Sequence, residues 1–284
     1  KLWVPLHELN CPEEAAKAVI KPLPMEPVEK PSANITGLHG EDFLTKGSHV
    51  YPILGRKYEK TPLIDRRLKG KVFYLISGHG GPDVGAQGKR AGNTLCEDEY
   101  AYDVTLRLLR LLLSHGATAY MIVRDPNDGI RDEAYLKCDK DEEVWGDLEI
   151  PYPQRERLLQ RTDLINEMTE KHNRAGVTDQ TVVEIHVDSR NHDTKTDLFF
   201  YYRPNSEASK ALATKLHQTF LQKYLRLRGS RGYTGSVSSR NLLTLKETNT
   251  RKAVYIEMAN IQNDWDQQRL VINNNRQAVA NWLY

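Results

Sequence analysis

Lys71-Val72-Phe73-Tyr74-Leu75-Ile76-Ser77-Gly78-His79-Gly80-Gly81 is the stretch on which the reading of this chain turns. Its first six residues are mostly apolar, β-branched or aromatic, and a run of that length suits a strand covered on both faces. Glycines follow at 78, 80, 81, 85, 88 and 92 and mark a loop. Beyond the loop, Tyr100 to Leu113 carries Val104, Leu108, Leu111 and Leu112 on one stripe at helical spacing, and Gly116 stops it.

The same alternation continues outward. Ala119 to Val123 reads as a second buried strand, and Asp125 to Ile150 as an acidic, irregular stretch. Gln154 to Arg174 reads as a long helix, Thr181 to His186 as a third strand and Leu198 to Tyr202 as a fourth. Ser206 to Tyr224 reads as a helix, Ala253 to Glu257 as a short strand and Asp266 to Leu283 as a closing helix. Strands alternating with helices predict an α/β fold, a mixed, mostly parallel sheet with helices on both faces. Residues 1–70 read as an N-terminal arm or linker. Its stretch up to about Asn34 is rich in Pro, Glu and Lys, and a strand is possible from His49 to Leu54. Residues 71–284 read as the main domain, with no internal repeat.

Bulk properties exclude several classes. The 284 residues suffice for one large domain with an appendage. A formal charge of +2 and the lack of a long basic run give no nucleic-acid footprint. No apolar run approaches the roughly 20 residues of a transmembrane helix. The start at Lys1 rather than Met is expected from removal of an upstream segment, by signal cleavage or by trimming. Three cysteines, Cys11, Cys96 and Cys138, give neither a disulfide framework nor a CxxC zinc site.

In an open α/β sheet, functional groups gather at the carboxyl ends of strands. His79 follows the first strand, His186 closes the third and Glu257 ends the short strand from Ala253. Glu97 stands ahead of the first helix, where it can point back toward His79. Each has an ordinary reading when taken singly: a loop histidine, a strand-end histidine, a solvated helix-start carboxylate favoured by the dipole. Glu257 is the hardest to dismiss, because a carboxylate at the end of an apolar strand is costly unless paired or functional. What joins the four is a common edge. Two imidazoles and a carboxylate form the ligand set of a catalytic zinc with an open position, and a further carboxylate is then available as general base and acid. Periodicity and spacing reach a metal hydrolase with Zn2+ held by His79, Glu97 and His186, and no further.

Longer motifs carry the reading on. Ser77-Gly-His-Gly-Gly-Pro-Asp-Val-Gly-Ala86 resembles the GHGGxDxGA signature of the zinc-dependent N-acetylmuramoyl-L-alanine amidases, the amidase 3 family. The likeness continues through Cys96-Glu97-Asp98, Gly116-Ala117, Met121-Ile-Val-Arg124, Arg161 with Asn166, Glu184-Ile-His186 and Tyr255-Ile-Glu257 with Asn263, in the family's order from about Lys71 to Leu283. It implies that His79, Glu97 and His186 are zinc ligands and Glu257 the catalytic carboxylate. It also implies hydrolysis of the amide between N-acetylmuramic acid and L-alanine, with peptidoglycan or muropeptides as the partner and a periplasmic or secreted, extracytoplasmic site of action. A regulatory partner is left open.

The chain departs from the family pattern at Ile76-Ser77, where Asp-Pro is usual, and at Val187-Asp188-Ser189-Arg190 after the second histidine. It departs again at Met258-Ala259-Asn260, and in the acidic insertion Asp125 to Glu149. Glu99 is a rival for the role of Glu97, and counting back from Gly116 favours Glu97. Arg124 and Arg161 read as structural ion pairs or as partners for a stem-peptide carboxylate. Two other functions stand beside the amidase: a zinc peptidase or carboxypeptidase, and a non-catalytic wall-binding protein of the same fold. Gly80-Gly81-Pro82 after His79 lacks the His-x-x-Glu of the carboxypeptidase type, and four intact site residues speak against lost activity.

Overall fold

The computed structural model describes residues 43–45, 48–229 and 232–284, so the proline-rich stretch lies outside the described residues. Six strands form the central sheet: β1 (Val72–Ser77), β2 (Thr118–Met121), β3 (Gln180–Asp188), β4 (Phe199–Tyr202), β5 (Ser236–Ser239) and β6 (Lys252–Asn260), in the order β5-β4-β6-β3-β1-β2. Neighbours run parallel except β4 against β6, which is antiparallel and makes the sheet mixed. The helices are α1 (Glu97–Ser114), α2 (Gln154–Arg174), α3 (Glu207–Arg228), α4 (Leu243–Glu247), α5 (Asp264–Val271) and α6 (Asn273–Leu283).

Alternation of side chains sorts the strands onto two cores. Val72, Tyr74 and Ile76 of β1, Val182 of β3 and Ala253 of β6 pack with Ile165 and Met168 of α2 and Leu245 of α4. Leu75, Val183, Ile185, Val187, Val254 and Ile256 take the opposite face, with α1, Phe220 of α3 and Val279 of α6. A strand buried on both faces has no polar side, and this is why β1 and β3 read as apolar runs. Residue parity then carries the chemistry. Glu184 and His186 fall on the face of Val182, and Tyr255 and Glu257 on the face of Ala253.

Several elements differ from the sequence reading. The glycine loop contains a hairpin, Gln87–Arg90 with Asn93–Cys96. The first helix begins at Glu97, three residues before the Tyr100 start expected from its apolar pattern. Its acidic first turn suits the positive end of the helix dipole. The closing helix is two, broken at Ile272, whose extended backbone separates α5 from α6. Strand β5 and helix α4 are short and polar, with no apolar period to announce them. Tyr51 and Leu54, ahead of β1, are buried in the core beneath α1.

The cysteines require a correction. Cys96 and Cys138 are joined, with Cα atoms 5.8 Å apart and a sequence separation of 42. The pairing escapes a sequence count because it links the start of α1 to the middle of an irregular insertion. The bridge staples the Asp125–Glu149 segment to the first turn of α1. Closing a loop of this length is worth about 4 kcal/mol through the entropy of the unfolded chain. The variant Cys96→Ser/Cys138→Ser is expected to lose stability of that order in denaturant unfolding. An unchanged midpoint would show that the bridge constrains nothing.

Candidate active site

Four contacts, from the loop after β1 and the end of β3, converge on Glu97. As the first residue of α1 it is 4% exposed, and both its oxygens are engaged. Oε1 accepts the Val187 amide at 3.0 Å and lies 2.9 Å from His186 Nδ1. Oε2 accepts the Ala86 amide at 2.8 Å and lies 3.2 Å from His79 Nε2. One ligand atom from each of His79, Glu97 and His186 falls within 4.8 Å of the others.

Each ring also has an outer nitrogen, and each meets a carboxylate. His79 Nδ1 is 2.9 Å from Asp83 Oδ2, and His186 Nε2 is 3.1 Å from Glu184 Oε1. A carboxylate behind an imidazole fixes its tautomer and orientation and raises its basicity, as around bound metals. These carboxylates are themselves held: Asp83 by Arg157 and by the Gly85 amide, Glu184 by the Thr244 hydroxyl at 2.5 Å. Arg161, 1% exposed, donates to the His79 carbonyl at 2.7 Å and so braces the loop backbone. Tyr255 stacks on the His186 ring, 4.3 Å between centroids.

The glycines of the loop are sterically required. A Cβ on Gly78 would lie 2.3 Å from the His186 ring, and one on Gly85 would lie 2.7 Å from Glu97 Oε2 and the His79 ring. His79 itself has φ 62°, a left-handed backbone that costs a non-glycine residue of order 1–3 kcal/mol and is tolerated where surroundings over-determine it.

The charges are strongly coupled. Burial alone would lower the pKa of His186, but its hydrogen bonds to Glu184 and Glu97 push it up to about 10. The same balance, burial against hydrogen bonds to Asp83 and Glu97, raises that of His79. Glu97 is held well below the usual carboxylate range by the two rings, against the effect of its burial. The pocket between the rings thus favours positive charge.

Glu257 stands apart from this triad. It lies opposite His186 in the β3–β6 register, and its Oε2 is buried without a hydrogen-bond partner. Burial raises its pKa to about 8. Immediately beyond, the register shifts, with Asp188 opposite Asn260, so β6 carries one extra residue at the site. Bulges recur beside active sites because they re-aim side chains.

The structure brings His79, Glu97 and His186 together and sets Glu257 on the adjacent strand. It turns Glu99 away, to Arg131 at 2.8 Å and the Asp139 amide at 2.9 Å. The sequence reading quoted Glu184 only within a motif and gave Asp83 a loop role. The available signal for Glu184 was its place two residues before His186, on the same face of an apolar strand.

The family model for N-acetylmuramoyl-L-alanine amidases matches residues 74–284. No curated protein matches the chain. Among solved structures, Cwp6 from Clostridium difficile is 20% identical with a TM-score of 0.53, over 75% of this chain and 28% of that one. The CwlD amidase from Clostridioides difficile, solved in complex with the GerS lipoprotein, is 19% identical with a TM-score of 0.53, over 75% and 94%. The amidase Ami1 from Mycobacterium smegmatis is 16% identical with a TM-score of 0.51, over 76% and 94%. At these identities the likeness is one of fold, and it agrees with the family match: the chain belongs to the amidase 3 family of N-acetylmuramoyl-L-alanine amidases, which hydrolyse the amide joining N-acetylmuramic acid to L-alanine in peptidoglycan.

Proposed function

We propose that this chain is a zinc amidase, with His79, Glu97 and His186 as the metal ligands and Glu257 as the catalytic carboxylate. The observation that carries the reading is the convergence of the two inner imidazole nitrogens on the two oxygens of Glu97. The donor set fits zinc: two nitrogens and one carboxylate oxygen leave a coordination position open. When bound there, zinc supplies Lewis acidity, which lowers the pKa of water and polarises a carbonyl.

The chain's own residues do the rest. Asp83 and Glu184 hold the rings so that His79 Nε2 and His186 Nδ1 face inward. In the hydrolysis, water adds to the lactyl carbonyl carbon and the carbon–nitrogen bond to L-alanine breaks. Glu257, in its ionised form, takes a proton from the attacking water and delivers it to the departing nitrogen, so the amine leaves neutral. Its free Oε2 and its place beside His186 suit that task.

Extracytoplasmic action is supported by the wall substrate and by the Cys96–Cys138 bridge, since such bonds persist in oxidising compartments. We take residues 71–284 as the catalytic domain.

Elemental analysis is expected to find one zinc per chain, and His79→Ala, His186→Ala or Glu97→Gln to lose most of it. Full zinc in these variants would sink the ligand assignment. Glu257→Gln is expected to keep its zinc while hydrolysis of a defined muropeptide, followed by mass analysis of the products, slows by about 10²–10⁴-fold. Loss of zinc in that variant would make Glu257 a ligand, and full activity would leave it structural.

A further inference from the structure

A second group of acids begins at the residue after Glu97. Asp98, Glu99 and Glu142 are 2%, 1% and 6% exposed, and one oxygen of each falls within 4.8 Å of the others. A second triad, Asp125, Asp139 and Glu142, shares Glu142 with the first. Four carboxylates are therefore gathered around Glu142, two from the first turn of α1 and two from the segment that the cystine bridge pins to it.

The cations that would ordinarily balance such a group are few. Arg131 reaches Glu99 at 2.8 Å and also pairs with Asp128. Asp98 and Glu142 form no ion pair among the described residues. Backbone amides take part of the load. Asp98 Oδ1 accepts the Glu99 amide at 2.9 Å, Glu142 Oε2 the Gly81 amide at 2.6 Å, and Asp125 Oδ1 the amides of Asn127 and Asp128.

Two oxygens remain. Asp98 Oδ2 and Asp139 Oδ1 are buried and have no hydrogen-bond partner, and Asp98 is the more deeply buried side chain. An unpartnered buried carboxylate oxygen is costly, and beside further carboxylates it is costlier still. An ion supplies what the protein does not.

The chemistry selects the class of ion. A site made only of carboxylate oxygens suits a hard cation, unlike the imidazole-bearing cluster across Glu97. Calcium takes 6–8 oxygens at about 2.3–2.6 Å in flexible geometry, so that two oxygens on one ion lie up to about 5 Å apart. Magnesium demands a tighter octahedron and keeps several waters, which suits a crowded buried cluster poorly.

We propose that Asp98, Glu99 and Glu142 bind a calcium ion, with Asp139 and Asp125 completing the oxygen shell from the insertion. The ion ties three parts together: the first turn of α1, the acidic insertion, and the His79 loop, which reaches Glu142 through the Gly81 amide. It acts as a structural clamp beside the catalytic cluster and takes no part in the hydrolysis.

The test uses the zinc-loaded chain, so that calcium meets only vacant oxygen sites. Titration calorimetry with CaCl2 is expected to give one ion per chain, and the thermal midpoint to rise with calcium concentration but not with equal magnesium. Asp98→Asn is expected to lose both effects. Absence of calcium binding by the zinc-loaded wild type overturns the proposal, and so does undiminished binding by Asp98→Asn. If that variant does not fold, crystals of the wild type soaked in terbium decide the matter. An anomalous peak among Asp98, Glu99 and Glu142 supports the site, and a peak elsewhere, or none, overturns it.

Discussion

Glu97 is the residue on which the arrangement hangs. Its carboxylate accepts two backbone amides, from Ala86 and Val187, and faces two imidazole nitrogens, from His79 and His186. Hydrogen bonds to a charged group are worth about 1.5–3 kcal/mol each, and losing the acceptor strands buried donors as well. Through these four contacts one side chain ties the loop after β1, the end of β3 and the start of α1. The site is therefore also a joint of the fold, and the glycines at 78 and 85 are the clearance that lets its parts meet.

Much of this was legible in the amino acids because buried parallel strands leave strong traces. β1, β3 and β6 announce themselves as apolar runs, and their carboxyl ends supply His79, His186 and Glu257. α2 was readable over its full span, since its polar face and its halt near Gly176 are local signals. What stayed hidden depends on partners distant in sequence. Strand β5 is held by pairing with β4 rather than by its own serines, and the Cys96–Cys138 bridge joins segments with no shared pattern. The outer carboxylates are close to their rings in sequence, but their role shows only once the loop and strand have placed them. Glu184 left only its strand parity with His186 as a trace, and the order of residues does not say that Asp83 will sit behind the other ring.

The insertion between β2 and α2 lacks regular structure beyond two short strand pairings, yet it is anchored covalently at Cys138 and electrostatically at Arg131. Asp103 of α1 makes a similar knot inside the domain, accepting from Arg107 at 2.8 Å and Arg276 at 2.6 Å, and thereby holds α6 against α1. Buried ion pairs of this kind add little net stability, but truncating one partner strands a charge and costs several kcal/mol. Rigidity around the site thus comes from cross-links laid over an apolar frame.

The one-to-one pairing of His186 with Glu257, followed at once by a register shift, has a bearing on how this chain can change. Strand parity is strict: moving β6 by a single residue relative to β3 would carry Glu257 into the apolar layer and present Met258 to the imidazole. Additions or deletions in the loops that feed β6 are therefore harmless only if the strand keeps its phase. The extra residue that β6 carries beyond the pair restores the pairing at Asp188 and Asn260, and the buried Asn260 then ties that strand end to Arg190, Asn191 and Thr194. Asn263, which caps α5 and donates to the His192 carbonyl, extends the same constraint past the strand end, so a lineage varies this region by point substitution more readily than by changes of length.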